Sequence, residues 1–536
     1  MRIRYLEALA GGNHRHADSG VGAAMLDRRA FLKLTGFAGG GLALGILPAQ
    51  AALAQEGAAP KAPPSPPQAF LLIAPDNTVT VAVNRLEFGQ GVHTALPMAL
   101  AEELDVDWRN VRATLAPAGD AYKDPAFGMQ MTGGSSALNH SFQQYRELGA
   151  RARAMLVSAA ATQWWQVDPS SCQVALGVVT SGSHRATFGE LAQAAMALPV
   201  PQQVTLKNPA QFKLIGKPTR RLDARGKLDA TTAFGIDVRL NDMVVAVVAR
   251  PPRFGGKVKS FNADKARAIK GVADVMLVPV DRGGTGVAVV ADGYWPAKQA
   301  RDALEIQWED SGSSVSTKDL FAQYKTLAAQ PGTVAVQADL GAMSAAARTI
   351  SADYEFPYLA HAPMEPLNCT LQAEVSGKAV QSVKVWVGSQ FQTVDQAAIG
   401  RVLGLPPAKV TLNTMMAGGG FGRRAVPTSD YLVEAANVLL AWVKNGHDQP
   451  LKVMWSREDD IRGGYYRPLH VHARASAPMR RGRCLAGSTP SSGSPSSPAR
   501  RSRRSWSRAA WTRPWSKGSP RTTTASRCNY RCITQR

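Results

Sequence analysis

The sequence predicts a mixed α/β, multidomain fold, and three observations predict it. A chain of 536 residues with 45% hydrophobic composition is too long to close around one core. Short runs rich in β-branched and aromatic residues alternate with longer Ala-, Leu- and Gln-rich segments of helical period. Glycine-rich loops stand where the two kinds of segment meet.

The chain opens with a segment that reads as an address. Asp27-Arg28-Arg29-Ala30-Phe31-Leu32-Lys33 is followed by the apolar stretch Leu34 to Leu47 and by the small residues Ala52-Leu53-Ala54. This is a signal-peptide layout over residues 25–54, with Met25 a candidate start. The paired arginines resemble the twin-arginine signal, which carries proteins out already folded, commonly because a large prosthetic group is inserted first. A periplasmic location, with membrane association left open, is the expectation. The apolar run is shorter than the ~20 residues a membrane-spanning helix needs.

Residues 55–68 form a Pro/Ala linker without apolar period. The first domain, 69–205, is predicted to begin with the strand Phe70 to Ile73, a turn at Asp76-Asn77 and the strand Val79 to Val83. Helices are predicted over Thr94 to Glu103 and Ser136 to Trp165. A second unit, 213–310, contains a strand Met243 to Ala249, a helix near Ala263 to Lys270, and Gly286 to Ala291 leading into a helix at Trp295 to Leu304. A third, 317–476, carries strands Val383 to Val387 and Val410 to Thr414 around a helix Gln392 to Leu403. The spacing of apolar residues predicts a core-facing helix over Asp430 to Val443.

Three loops carry the candidate chemistry. Glu87-Phe88-Gly89-Gln90-Gly91-Val92-His93-Thr94 and Gly418-Gly419-Gly420-Phe421-Gly422-Arg423-Arg424 each follow a strand. Glycine lets backbone approach a ligand and leaves N–H groups free for anions, while Gln90 and Arg423 offer donors for phosphate and heterocycle edges. Thr132-Gly133-Gly134-Ser135-Ser136 stands before the long helix, where phosphate is favoured, although a plain helix cap has the same pattern. Taken singly, each of the two glycine loops is better explained by a tight turn. None has the spacing of a dinucleotide fingerprint. His361 and Glu365, in His361-Ala362-Pro363-Met364-Glu365-Pro366, are as well explained by structure as by catalysis, and Gly388-Ser389-Gln390 sets an amide beside an apolar strand.

The order and spacing of His361 to Thr370, Trp386 to Gln392 and Met416 to Arg424 resemble the first molybdopterin-binding domain of the xanthine oxidase family. Lys217 to Asp223, with Lys227, resembles the α/β-hammerhead domain that precedes it. The early position of the loops at Gly89 to Gly91 and Thr132 to Ser136 is similar to the isoquinoline 1-oxidoreductase beta-subunit type. The resemblance covers roughly residues 70–468. It implies molybdopterin cytosine dinucleotide as cofactor, carrying molybdenum, held by Gly89, Gln90, Gly91, His93, Thr94, Gly133, Gly134, Ser135, Gln390, Gly419, Gly420, Phe421, Gly422 and Arg423. Gln390 would face the metal's oxo ligand; Gly420, Phe421 and Gly422 would line metal and pterin; Gln90 would hold the pterin or its nucleotide. Relatives place a substrate-contacting Glu after this glycine loop, whereas Arg424 and Ala425 stand here. The metal is held by the pterin, so no protein metal ligands are expected. Implied partners are a separate small 2Fe-2S subunit, an N-heterocycle or aldehyde substrate, and a cytochrome c as candidate electron acceptor.

The last segment, 477–536, reads differently. It holds 14 of the 62 Lys and Arg and no Asp or Glu, leaving +8 of the +22 net charge for everything before it. It also holds Cys484, Cys528 and Cys532, so Cys172 and Cys369 are left for the body, without metal-ligand spacing. Back-translated and read one base earlier, this tail becomes ordinary globular text. A frameshift near Ala477 is therefore expected, with a disordered out-of-frame tail and an inactive product, because the general-base Glu of the family lies beyond the break. An Arg/Ser-rich nucleic-acid-binding tail is the competing reading, and export argues against it. A non-catalytic scaffold that docks the iron–sulfur subunit is the alternative of a different class.

Overall fold

A computed structural model describes residues 41–45 and 69–478, apart from 125, 310, 313–314, 332 and 335–347, together with the strands Cys484–Gly493 and Cys532–Thr534. The predicted linker, and all of the predicted signal except residues 41–45, lie outside the described residues. The chain divides into two compact units. One comprises 1–81, 99–112 and 145–216; the other comprises 82–98, 113–144 and 217–536.

The first unit contains the expected hairpin. Ala69–Ile73 pairs antiparallel with Val79–Val83 across a turn in which Asn77 takes φ +67° and the Asp76 carboxylate accepts from Thr78 N. Leu42–Gly45, part of the predicted signal, is a strand paired antiparallel with Ala69–Ile73, and Leu42, Ala43 and Leu44 are buried there. An edge strand leaves a row of N–H and C=O groups unpaired, and this apolar segment satisfies them. The predicted long helix is observed as α-helix over Ser136–Ser158 continued by a π-helical stretch Ala159–Trp165. A short sheet, Gln173–Ala175, Val178–Ser181 and His184–Thr187, leads into the helix Phe188–Met196, whose start is fixed by reciprocal bonds of Thr187 and Glu190.

The second unit is built on a seven-stranded sheet. Its order is Val272–Pro279, Thr285–Ala291, Val244–Ala249, Leu451–Met454, Asn368–Ser376, Ala379–Val387, Val410–Thr414. Two pairings are parallel, Val244–Ala249 with Leu451–Met454 and Ala379–Val387 with Val410–Thr414. The second needs a crossover, which the helix Gln392–Leu403 supplies. The helix Asp430–Lys444 buries Leu432, Ala435, Leu439, Trp442 and Val443 in one core with Leu371, Val385, Leu412 and Val453. Segments expected as separate domains at 213–310 and 317–476 therefore share one sheet. Leu451–Met454 joins them, because Val244–Ala249 is apolar on both faces and needs a neighbour on each side. The region 69–205 is likewise divided: 82–98 and 113–144 belong to this unit, where Ala118 N donates to Leu412 O.

Within the segment expected to be disordered, Cys484–Gly493 pairs antiparallel with His470–Pro478, and Cys532–Thr534 pairs with Cys484–Gly493. The open edge of His470–Pro478 offers the backbone partners. The rest of that tail lies outside the described residues.

Candidate cofactor site

Five loops of the second unit converge, and backbone hydrogen bonds lace them together. Thr132 N donates to Gln390 O at 2.8 Å, Gln390 N to Arg424 O at 3.0 Å, and Ala417 N to Glu87 O at 3.1 Å. Leu86 N donates to Thr132 Oγ1 at 2.8 Å, and Glu365 N to Gly418 O at 3.0 Å. The loops that sequence reasoning marked at 87–94, 132–136, 361–366, 388–390 and 418–424 are thus neighbours.

At their meeting point lies Gln390, 2% exposed. Its Nε2 donates to Thr132 O at 2.7 Å, which fixes the amide orientation and turns Oε1 the other way. That Oε1 is buried and has no hydrogen-bond partner among the described residues. Buried acceptors usually have a partner, from protein, ordered water or a ligand. Opposite it stands Gly420, where a Cβ would lie 2.9 Å from Oε1 and 3.7 Å from Phe88 Cδ2. Gly419 and Gly422 take φ +95° and +105°, conformations glycine adopts freely, and Phe421 takes φ +55° with its ring 70% exposed. His361 borders Gly422, with Nε2 3.8 Å from where its Cβ would be. Burial, then Arg423 and Arg467, lowers the His361 pKa, and its Nδ1 is buried without a partner among the described residues.

Several expected ligand groups are spent internally. The N–H groups of Gly89, Gly91 and His93 are not free for an anion, because the fully buried Glu87 carboxylate already accepts from Gly89 N (2.8 Å), Gly91 N (3.2 Å) and His93 N (2.9 Å). Arg221 closes this nest at 3.1 Å. Gln90 is turned into its own loop, Nε2 donating to Leu86 O and Oε1 accepting from Phe88 N. Thr94 Oγ1 accepts from Leu222 N. His93 is buried, its pKa lowered by that burial, and its Nδ1 has no partner among the described residues. Arg423, expected as a phosphate donor, is buried in a two-bond ion pair with Asp430 at 2.9 and 2.6 Å. For Gln90 and Arg423 a short reach to a nearby partner outcompetes the solvent-facing pose.

Gly134 and Ser135 are exposed, both with positive φ, and Gly133 caps the helix by accepting from Ser136. The Glu365 carboxylate accepts from Gly418 N, Ile236 N, Asn368 and Arg424. Arg424 also donates to Gly419 O and Gly388 O, so it braces the glycine loop from behind. Phe88 and Asp395 were missed as contributors. Phe88 has no distinguishing pattern, whereas an acid directly before a glycine loop, as at Glu87, was a readable warning.

Cys369 is a buried free thiol whose pKa burial pushes up, Cys172 is also free, and among the described residues no cluster of His, Cys, Asp and Glu could hold a metal ion. Two cavities are lined by other residues, one of about 290 Å³ by Phe356, Leu359, Arg467, His470 and His472. The other, about 170 Å³, lies among Asn77, Leu176 and Phe188 of the first unit. No helix among the described residues is long and apolar enough to cross a membrane.

Residues 327–488 match the family model of a molybdopterin cofactor-binding domain, and residues 35–242 match a second model of the same description. The isoquinoline 1-oxidoreductase subunit beta of Brevundimonas diminuta is 31% identical over 491 residues, covering 82% of this chain and 61% of that protein. The membrane-bound aldehyde dehydrogenase (pyrroloquinoline-quinone) of Gluconacetobacter polyoxogenes is 30% identical, covering 84% of this chain and 58% of that one. Among solved structures, quinoline 2-oxidoreductase from Pseudomonas putida 86 aligns with a TM-score of 0.39 at 17% identity, over 52% of this chain and 39% of that one. Two matched domains define the class, a molybdopterin-binding polypeptide. The chain belongs to the xanthine oxidase family of molybdopterin-binding subunits, and it spans about three fifths of the length of the first two relatives.

Proposed function

We propose that this polypeptide binds molybdopterin, in its cytosine dinucleotide form, against Gln390, Gly420, Phe421 and Phe88. It would thereby serve as the large subunit of a molybdenum hydroxylase for N-heterocycles or aldehydes. The observation that supports this is the Oε1 of Gln390, buried without a partner among the described residues and set so close to Gly420 that a side chain there would collide with it. When bound, the cofactor supplies a two-electron redox centre for hydroxylating an electron-poor carbon with oxygen from water.

The protein's share is binding and orientation. Gln390 Oε1 accepts a hydrogen bond from a ligand N–H or hydroxyl, and Thr132 O holds the amide so that it cannot turn away. Gly420 and Gly422 admit backbone to within contact of a flat ring, and the exposed Phe421 ring offers it an apolar face. Gln90 and Arg423 are left out of this role: the Gln90 amide bonds within its own loop, and both terminal nitrogens of Arg423 hold Asp430, leaving its buried Nε without a partner among the described residues. Electron transfer to a separate 2Fe-2S subunit, a cytochrome c beyond it, and export by the twin-arginine route complete the proposal. The acid-free tail supports a frame change near Ala477, which would separate the chain from the family's general base, so binding is tested on the chain as written and turnover on the frame-restored gene.

The test is metal content. Purified from cells that make molybdopterin, the folded chain is expected to hold close to one molybdenum and one pterin, and Gln390→Ala to lose most of both. Folded protein free of both would refute the proposal. Restoring the frame and assaying quinoline-like compounds against aldehydes assigns the substrate.

A further inference from the structure

Behind Gln390 lies a carboxyl group that no part of the proposed binding role uses. Asp395 sits in the first turn of Gln392–Leu403, is 2% exposed, and has no ion-pair partner among the described residues. Its two oxygens are each taken by a serine hydroxyl. Ser389 donates to Oδ2 at 2.5 Å and Ser429 donates to Oδ1 at 2.6 Å.

The two serines belong to the two loops whose separation defines the site. Ser389 adjoins Gln390, and its hydroxyl, fixed by donating to Asp395, accepts from Phe391 N at 3.0 Å. The peptide on either side of Gln390 is thereby set. Ser429 takes φ +53° at the start of Asp430–Lys444, the helix whose Asp430 holds Arg423 of the glycine loop in a buried two-bond pair. Asp395 N in turn donates to Phe391 O at 2.8 Å. One carboxyl group thus ties the strand end that carries Gln390 to the helix start that anchors Gly418 to Arg424. An uncompensated buried carboxyl is costly, and here its oxygens are satisfied only by these two hydroxyls.

We infer that Asp395 is a positioning residue: by accepting from Ser389 and Ser429 together, it holds Gln390 Oε1 against Gly420 in the pose a ligand requires. The consequence for cofactor binding rests on the molybdopterin reading, whereas the pose itself does not.

Above about pH 7, where Asp395 is ionised and accepts from both serines, Asp395→Asn offers one acceptor and one donor where two hydroxyl donors point, so one serine must turn round. Ser389→Ala removes one tie with little volume change, and serves if Asp395→Asn fails to fold. The expected result is roughly a tenfold loss of molybdenum retention per folded chain in either variant. Adding Gln390→Ala should cause little further loss, because coupled residues are not additive. A purely structural Asp395 would lower the melting temperature, leave metal per folded chain unchanged and add to Gln390→Ala, and that result would overturn the inference. A crystal structure of cofactor-free Ser389→Ala or Asp395→Asn reads the pose without molybdenum. Gln390 displaced from Thr132 O supports the inference, and Gln390 unmoved sinks it, whatever becomes of the cofactor assignment.

Discussion

Substituting Gly420 by alanine probes the site at its narrowest point. The added Cβ would stand 2.9 Å from Gln390 Oε1, whereas ordinary contact begins near 3.4 Å, so the amide must retreat by about 0.5 Å. Three hydrogen bonds oppose that retreat: Nε2 to Thr132 O at 2.7 Å, Thr132 N to Gln390 O at 2.8 Å, and Gln390 N to Arg424 O at 3.0 Å. Releasing the side-chain bond leaves two polar groups unpaired in a buried setting, at about 1–3 kcal/mol. Burial of the new methyl group returns about 0.8 kcal/mol. The net loss, up to about 2 kcal/mol, lowers the melting temperature by up to roughly 8 °C. Gly404→Ala is the matched control. Gly404 has φ +69° and nothing within 4 Å of the added Cβ, so backbone strain alone costs about 1–2 kcal/mol. Both variants should melt lower by scanning fluorimetry, but only Gly420→Ala should lose molybdenum. Equal metal content in the two would refute the account of Gly420 as the wall of the site.

Other expectations follow from the groups that hold the loops. Glu87→Gln removes a buried carboxylate from three backbone donors and Arg221. At about 1.5–3 kcal/mol per charge-assisted bond, urea denaturation should show a loss of at least ~3 kcal/mol. Arg423→Lys replaces a two-bond fork on Asp430 by a single point donor, and a loss of about 1–3 kcal/mol is expected in the same assay. Asp395 supplies a pH signature. Burial raises its pKa from 3.8 to about 7, so the folded protein holds the proton more tightly than the unfolded chain. Its stabilising contribution is complete below the unfolded value and is lost as pH rises to about 7. Comparing melting temperatures between pH 4 and 8, that part of the slope should vanish in Asp395→Asn; an unchanged slope would contradict the assignment.

Much of the local structure was legible because each element obeys its own period. The helices Gln392–Leu403 and Asp430–Lys444, the hairpin at Asp76-Asn77 and the long helix to Trp165 all carry their apolar spacing or caps in the sequence. The sheet was not legible. Nothing local announces that Leu451–Met454 lies between Val244–Ala249 and Asn368–Ser376, since such pairing is set by which apolar faces remain uncovered. Within the site, glycine positions were readable because positive φ at Gly419 and Gly422 restricts residue choice. The fates of polar side chains were not. Whether Gln90 faces a ligand or bonds to Leu86 O depends on its own loop's path, and whether Arg423 meets a phosphate or Asp430 depends on a helix seven residues on. Asp395 carries no motif at all; its role appears only when Ser389 and Ser429 are seen on its two oxygens.

The most direct measurement is a crystal structure of the protein purified from molybdopterin-producing cells. Pterin density is expected within hydrogen-bond distance of Gln390 Oε1 and in contact with Gly420 and Phe88. Density bound elsewhere, with Gln390 Oε1 still unpartnered in loaded protein, would contradict it.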